Sequence, residues 1–186
     1  MIIASFVMKQ HGLNAVRLLH QAGIQQDVFL CNEAMHESDK YNEEIVAYCK
    51  EAEIPYKFWV SGQDLERQKY HVLFAVKWRF LFPTNFLNGA QFGAFAIHDS
   101  LLPKYRGASP LNWSIINGET VIGATLFKAT ERVDAGDILE QVSVDFGVDE
   151  LFHSAQQKMI TTYFDLTKLF IQRIKCSKFS GTPQIE

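Results

Sequence analysis

Two side chains able to carry a proton stand out by their surroundings, His98 and Asp134. His98 ends the apolar run Gly93-Ala94-Phe95-Ala96-Ile97-His98, which reads as a buried strand. Asp134 lies in the acidic turn Val133-Asp134-Ala135-Gly136-Asp137, after a second strand-like run from Gly123 to Ala129. They are 134 − 98 = 36 residues apart. Histidine is the side chain whose charge changes near neutral pH, so it suits a general base. A carboxylate brought against it sets its tautomer and charge. Open α/β sheets hold ligands outside the carboxyl ends of their strands, where both residues are expected. Taken singly, neither is diagnostic, since a lone histidine is usually structural and Asp-Ala-Gly suits any turn.

The segment joining them is legible. Asp99-Ser100-Leu101-Leu102-Pro103 ends the strand, and Lys104-Tyr105-Arg106-Gly107 makes a basic turn. A helix is predicted from Pro110 to Ile116, with proline in its first turn and Asn117-Gly118 at its end. Upstream, Met1 to Met8, Asp27 to Cys31 and Tyr56 to Val60 read as strands. Helical spacing runs from Gly12 to His20, stopping at Gly23, and from Tyr41 to Glu53. His71 to Phe82 reads as a buried strand leading into an irregular segment. Downstream, Gln141 to Phe146 continues an edge strand, and a long packing helix is expected from Glu150 to Lys175 with Asp149 as its N-cap. Alternating strands and helices predict α/β architecture: an open, mostly parallel sheet with helices on both faces.

Composition excludes several classes. Apolar content of 47% with 21% charge is that of a globular domain. A net charge of −3 offers no general attraction to nucleic acid. No apolar run approaches the roughly 20 residues that span a bilayer, and the N-terminus does not read as a signal peptide. Cys31, Cys49 and Cys176 lack metal-like spacing and fit reduced thiols, so a cytoplasmic, metal-free protein is expected. The turn Lys9-Gln10-His11-Gly12 has neither a G-x-G-x-x-G pattern nor a P-loop lysine, which argues against nicotinamide or nucleoside-triphosphate chemistry.

The wording HDSLLPKYRGASPLNW, then INGE, GATLF and DAGDILEQ, resembles the formyltransferases that use 10-formyltetrahydrofolate. The KYRG-x-x-PLNW form is most similar to the branch that formylates nucleotide-linked amino sugars. The resemblance implies a Rossmann-like formyltransferase fold, with a catalytic domain over residues 1–178 and a tail at 179–186. It implies His98 and Asp134 as the catalytic pair. It also implies Trp78, Arg79, Phe80, Leu81 and Val133 as the folate-binding set, and the expected cosubstrate is 10-formyltetrahydrofolate. Ser100, Lys104, Tyr105 and Arg106 are candidates for the nucleotide-linked amino sugar. Glycinamide ribonucleotide formyltransferases carry a Gly-rich Ser-Asn turn for the substrate phosphate, of which only Gly12 and Asn14 remain here. Small-molecule partners are expected, without nucleic acid or membrane, and a homodimer is compatible.

One position departs from the family pattern. Its Asn-x-His places an amide two residues before the histidine, and here that residue is Ala96. Residues two apart in a strand share a face, so a methyl group stands where a donor is expected. Transfer of formyl to an amine needs a base for the amine's proton, donors toward the oxyanion, and a carboxylate to steady the base. Three readings therefore stand: an amino-sugar N-formyltransferase, a formyltetrahydrofolate hydrolase, and a catalytically weakened folate- or nucleotide-binding domain.

Overall fold

The computed structural model describes residues 1–31, 40–59 and 69–185. The class is α/β, as the sequence pattern predicts: a seven-stranded, mostly parallel sheet with helices. Two compact units divide the chain, Met1–Phe95 and Ala96–Glu186.

The first unit contains β1 (Ile2–Val7), α1 (Lys9–Gln21), β2 (Gln25–Cys31), α2 (Lys40–Glu51), β3 (Tyr56–Trp59), β4 (Val72–Val76) and the short α3 (Thr84–Leu87). β1 pairs in parallel with both β2 and β4, and β3 adds in parallel to β2. Continuous apolar runs mark strands covered on both faces. Accordingly Ile3–Val7 and Val72–Val76 are buried throughout. On α1, Leu13, Val16 and Leu19 bury one stripe at helical spacing. Gly12 has a packing role, because a Cβ there would stand 2.8 Å from the Val7 Cβ.

Some boundaries move for identifiable reasons. β2 starts at Gln25, two residues early, where pairing with Ile2 begins, and buried Gln26 accepts the Ser5 hydroxyl (2.9 Å) and donates to the Val16 carbonyl (2.8 Å). α2 stops at Glu51 because Glu53 takes a left-handed φ of 54°. β3 ends at Trp59 among the described residues; Val60, expected to close it, lies outside them, as does His36. α3, following Pro83, was not expected, and it buries Phe86.

The second unit takes up the end of β5 (Ala94–His98), then α4 (Pro110–Ile116), β6 (Val121–Lys128), β7 (Ile138–Asp145) and α5 (Phe152–Cys176). β6 and β7 pair antiparallel, with a bulge at Leu126/Phe127. α5 buries Ala155, Met159, Tyr163, Leu166, Phe170 and Ile174 along one face. Its start corrects the expected Asp149 cap, since the helix begins at Phe152 and the N-cap position is Leu151. Glu150 supplies the polar closure instead, accepting the Gly147 amide (2.9 Å), the Ser154 hydroxyl and the Lys158 ammonium. Those donors, the Gly147 amide foremost, hold the Glu150 carboxyl down at about 2. Among the described residues no helix is long and apolar enough to cross a membrane.

Candidate functional site

The histidine and the aspartate meet within the second unit. His98 Nδ1 lies 3.4 Å from Asp134 Oδ2, with the two side chains 10% and 19% exposed. The other ring nitrogen, Nε2, lies 2.8 Å from the Tyr105 carbonyl. Both ring partners are acceptors, and a neutral imidazole has one proton to give. The ring therefore serves both fully only as the imidazolium, or one at a time when neutral.

Three local devices hold His98. Along β5, Phe95 and Ile97 are buried while Ala96 and His98 are partly open, the alternation expected of side chains two apart sharing a face. Tyr163 of α5 donates its hydroxyl to the Ile97 carbonyl at 3.0 Å, tying down the peptide beside the histidine. Burial, and then the charges of Asp99 and Asp134, push the Tyr163 phenol well above its ordinary range, so it remains a donor. Beyond the strand, Thr125 spends its whole hydrogen-bonding capacity on the loop and on Gln141 of β7. Its hydroxyl donates to the Ser100 carbonyl (2.6 Å) and accepts from the Leu102 amide (3.0 Å) and Gln141 Nε2 (2.9 Å). Gln141 also donates to the Leu102 carbonyl at 2.9 Å. The Leu102–Pro103 peptide is cis.

Asp134 sits on a turn closed by the Lys128 amide donating to the Asp137 carbonyl at 2.9 Å. Gly136 is required there, because a Cβ would fall 1.7 Å from the Lys128 carbonyl oxygen. Asp134 itself adopts a left-handed φ of 49° and accepts the Gly107 amide at Oδ2, 2.9 Å away. One oxygen of Asp134 thus faces both the imidazole and a main-chain donor of the basic turn.

The remaining candidates fall into separate settings. Ser100 is buried and donates its hydroxyl to the Lys104 carbonyl at 2.6 Å. Lys104 and Tyr105 both donate to Glu119 Oε1, at 2.9 and 2.8 Å. These bonds lower the Glu119 carboxyl and raise the Lys104 ammonium from their ordinary values. Arg106 donates from Nε (3.0 Å) and Nη2 (2.7 Å) to the Gln184 carbonyl oxygen. Val133 is 45% exposed.

In the first unit, Trp78 packs edge-on against Phe6 and Phe80, with centroids 5.2 and 5.6 Å apart. Arg79, Phe80 and Leu81 reach solvent, the last two 43% and 75% exposed. His71 is structural, accepting the Ile2 amide at Nδ1 (3.0 Å), and His20 bonds the Tyr48 hydroxyl at 2.8 Å. Cys49 is buried and its thiol is pushed up to about 11, which removes it as a nucleophile. Among the described residues no group of three or more His, Cys, Asp or Glu side chains is placed to hold a metal.

Sequence reasoning passed over Thr125, Gln141, Tyr163 and Gln184. A signal existed for Thr125, a hydroxyl in the middle of the apolar Gly123-Ala124-Thr125-Leu126-Phe127 run, where a polar atom must find partners. Tyr163 reads from the sequence as one more position of the packing helix, and its hydroxyl nonetheless reaches the strand that carries His98.

Residues 60–162 match the family model described as formyl transferase. Among solved structures, a 4-N formyltransferase from Francisella tularensis is 24% identical, with a TM-score of 0.76, covering 100% of this chain and 73% of its own. Glycinamide ribonucleotide transformylase 1 from Symbiobacterium toebii is 16% identical, with a TM-score of 0.80, and the coverages are 100% and 93%. A sugar 3N-formyl transferase solved with dTDP and 5-N-formyl-THF is 16% identical, with a TM-score of 0.77. The alignment takes in 100% of this chain but 66% of that enzyme, slightly under two thirds of its length.

Proposed function

Because the chain belongs to the formyl transferase family, we propose that it moves the formyl group of 10-formyltetrahydrofolate to the amine of a nucleotide-linked amino sugar. The observation that carries this reading is the His98–Asp134 pair, an imidazole 3.4 Å from a carboxylate where a strand ends. A sugar 3N-formyl transferase among the similar folds was solved with dTDP and a formyl-THF, which supports the substrate class.

In this reading the neutral amine attacks the formyl carbon, the new C–N bond forms, and the bond to the folate nitrogen breaks. The attacking nitrogen must lose a proton. His98 takes it at Nε2, once substrate displaces the Tyr105 carbonyl and the neutral ring holds its own proton on Nδ1 toward Asp134. Asp134, facing Nδ1, stabilises the imidazolium so formed. The ring then gives the proton to the departing folate nitrogen. The resemblance to the family gives Phe80, Leu81 and Val133 a folate-binding role, and each leaves apolar surface open. Trp78 and Arg79 complete that set. The substrate's phosphates fall to Lys104, whose side chain is 64% exposed, with Tyr105 and Arg106 beside it and Ser100 shaping the loop. The reaction belongs in the cytoplasm on this reading.

The test is to assay nucleotide-linked amino sugars for formylation with 10-formyltetrahydrofolate. His98→Ala should lower turnover about 10²- to 10⁴-fold without changing the melting temperature. Formate release with no acceptor present, equal to the rate with acceptor, would make the protein a hydrolase and end this reading.

A second reading, a binding domain with little turnover, is favoured by Ala96 alone. Loss of one oxyanion donor typically costs about 10²- to 10³-fold in turnover. Ala96→Asn should raise formyl transfer or leave it unchanged. Saturable folate binding with no turnover in either form would select the binding domain.

A further inference from the structure

Gln184 lies outside every group of residues assigned so far, yet its side-chain amide uses all its hydrogen-bonding capacity on the two loops of the site. Its Nε2 donates to the carbonyls of Asp134 (2.9 Å) and Gly136 (2.7 Å), while its Oε1 accepts Nε and Nη2 of Arg106 at 3.0 and 2.7 Å. That orientation is forced, since peptide carbonyls need donors and a guanidinium needs an acceptor. The segment bearing Gln184 is itself fixed. Thr182 and Ile138 exchange main-chain hydrogen bonds of 2.8 Å each way, and Arg173 donates to the Ser180 carbonyl at 3.0 Å.

The geometry points to Gln184 as the positioning residue for Asp134. Asp134 occupies a left-handed conformation (φ 49°), uncommon for a residue with a side chain although aspartate adopts it more readily than most, so its turn is one that outside contacts can hold or release. The Gln184 amide grips that residue's own carbonyl and the carbonyl two residues on. The same amide holds Arg106, the neighbour of Gly107, whose N–H meets Asp134 Oδ2 at 2.9 Å. Removing the amide frees the turn to rotate and carries Oδ2 away from both the Gly107 amide and the imidazole. The catalytic consequence rests on the formyl-transfer reading above, whereas the hold on Asp134 does not.

The two ends of the amide are separable. Gln184→Met keeps the length and removes both ends. Gln184→Glu keeps an acceptor for Arg106 and removes the donors to Asp134 and Gly136. The informative readout is hydrogen exchange at the Gly107 amide by NMR on the full chain without substrate, alongside steady-state kinetics. In both variants Gly107 exchange should quicken at least about tenfold, as expected for loss of one hydrogen bond, while the amides of β6 and β7 keep native rates. Turnover should fall about 10- to 100-fold with the KM for 10-formyltetrahydrofolate unchanged, the mark of a displaced group rather than lost binding.

Unchanged Gly107 exchange in Gln184→Met overturns the assignment, as does native exchange in Gln184→Glu, which would put the hold at Arg106. A uniform rise across β6 and β7 also overturns it, because Gln184 would then be a structural tie. If exchange responds as expected but no amino sugar is formylated by the native protein, the amino-sugar reading fails and the hold on Asp134 stands.

Discussion

Two stretches of the chain are fixed by different physics. In β4 every residue from Val72 to Val76 is apolar and buried, and the strand is placed by area removed from water, about 1.5–3 kcal/mol for each large side chain. The segment from His98 to Gly107 has little to bury. The hydroxyl of buried Thr125 and the amide of Gln141 hold it through main-chain groups, and the buried Tyr163 hydroxyl holds the Ile97 carbonyl just before it. The apolar strand tolerates small shifts, because dispersion contacts are many and undirected. Directed hydrogen bonds do not, and that suits a place where an imidazole and a carboxylate must meet. Stability and geometry are thus supplied by different parts of the chain, so substitutions should separate them.

The sharpest separation is Asp134→Asn. Turnover should fall at least about 10³-fold, because the amide cannot stabilise the imidazolium, while the melting temperature stays within a few degrees. Phe74→Ala is the mirror case. Phe74 is fully buried, so truncation should cost about 3–5 kcal/mol in denaturant unfolding and leave turnover per folded molecule unchanged. Thr125→Val stands between the two. It strands the Leu102 amide and the Ser100 carbonyl, and about 1–3 kcal/mol of stability should go together with a measurable fall in turnover. If Thr125→Val lowers stability alone, the polar loop is no more than a second core and the contrast dissolves.

The smallest effect lies at the start of α5. The Glu150 carboxyl sits at about 2 in the folded protein against an ordinary 4.5, so it adds stability that is present above pH 4.5 and is lost as pH falls toward 2. Melting temperatures of Glu150→Gln, followed from pH 5 to pH 2, should therefore decline less steeply than those of the native protein.

Where apolar period decided the outcome, the sequence was sufficient. The Pro110–Ile116 helix, the stripe of α5 and the strand ending at His98 all follow from spacing and from Pro or Gly punctuation. The cap of α5 did not, because Asp149 and Glu150 are adjacent carboxylates and only the path of the chain decides which meets the Gly147 amide. His98 and Asp134 were singled out through their surrounding motifs, since nothing in a 36-residue gap brings two side chains together. Gln184 was invisible for a related reason. Two of its partners are carbonyl oxygens far away in the chain, which every residue type has, and the third, the Arg106 guanidinium, is as distant in sequence.

The resting contact of His98 carries an experimental consequence. Its Nε2 lies against an oxygen of the main chain, and the Tyr105 ring has no part in that bond. Truncating Tyr105 to alanine deletes the phenol and leaves the carbonyl in place, so side-chain scanning across this turn would be blind to whatever occupies the base at rest. Exposing that occupant calls for chemistry on the peptide unit itself, such as replacing the 105–106 amide with an ester, which leaves a weaker acceptor where the carbonyl stood.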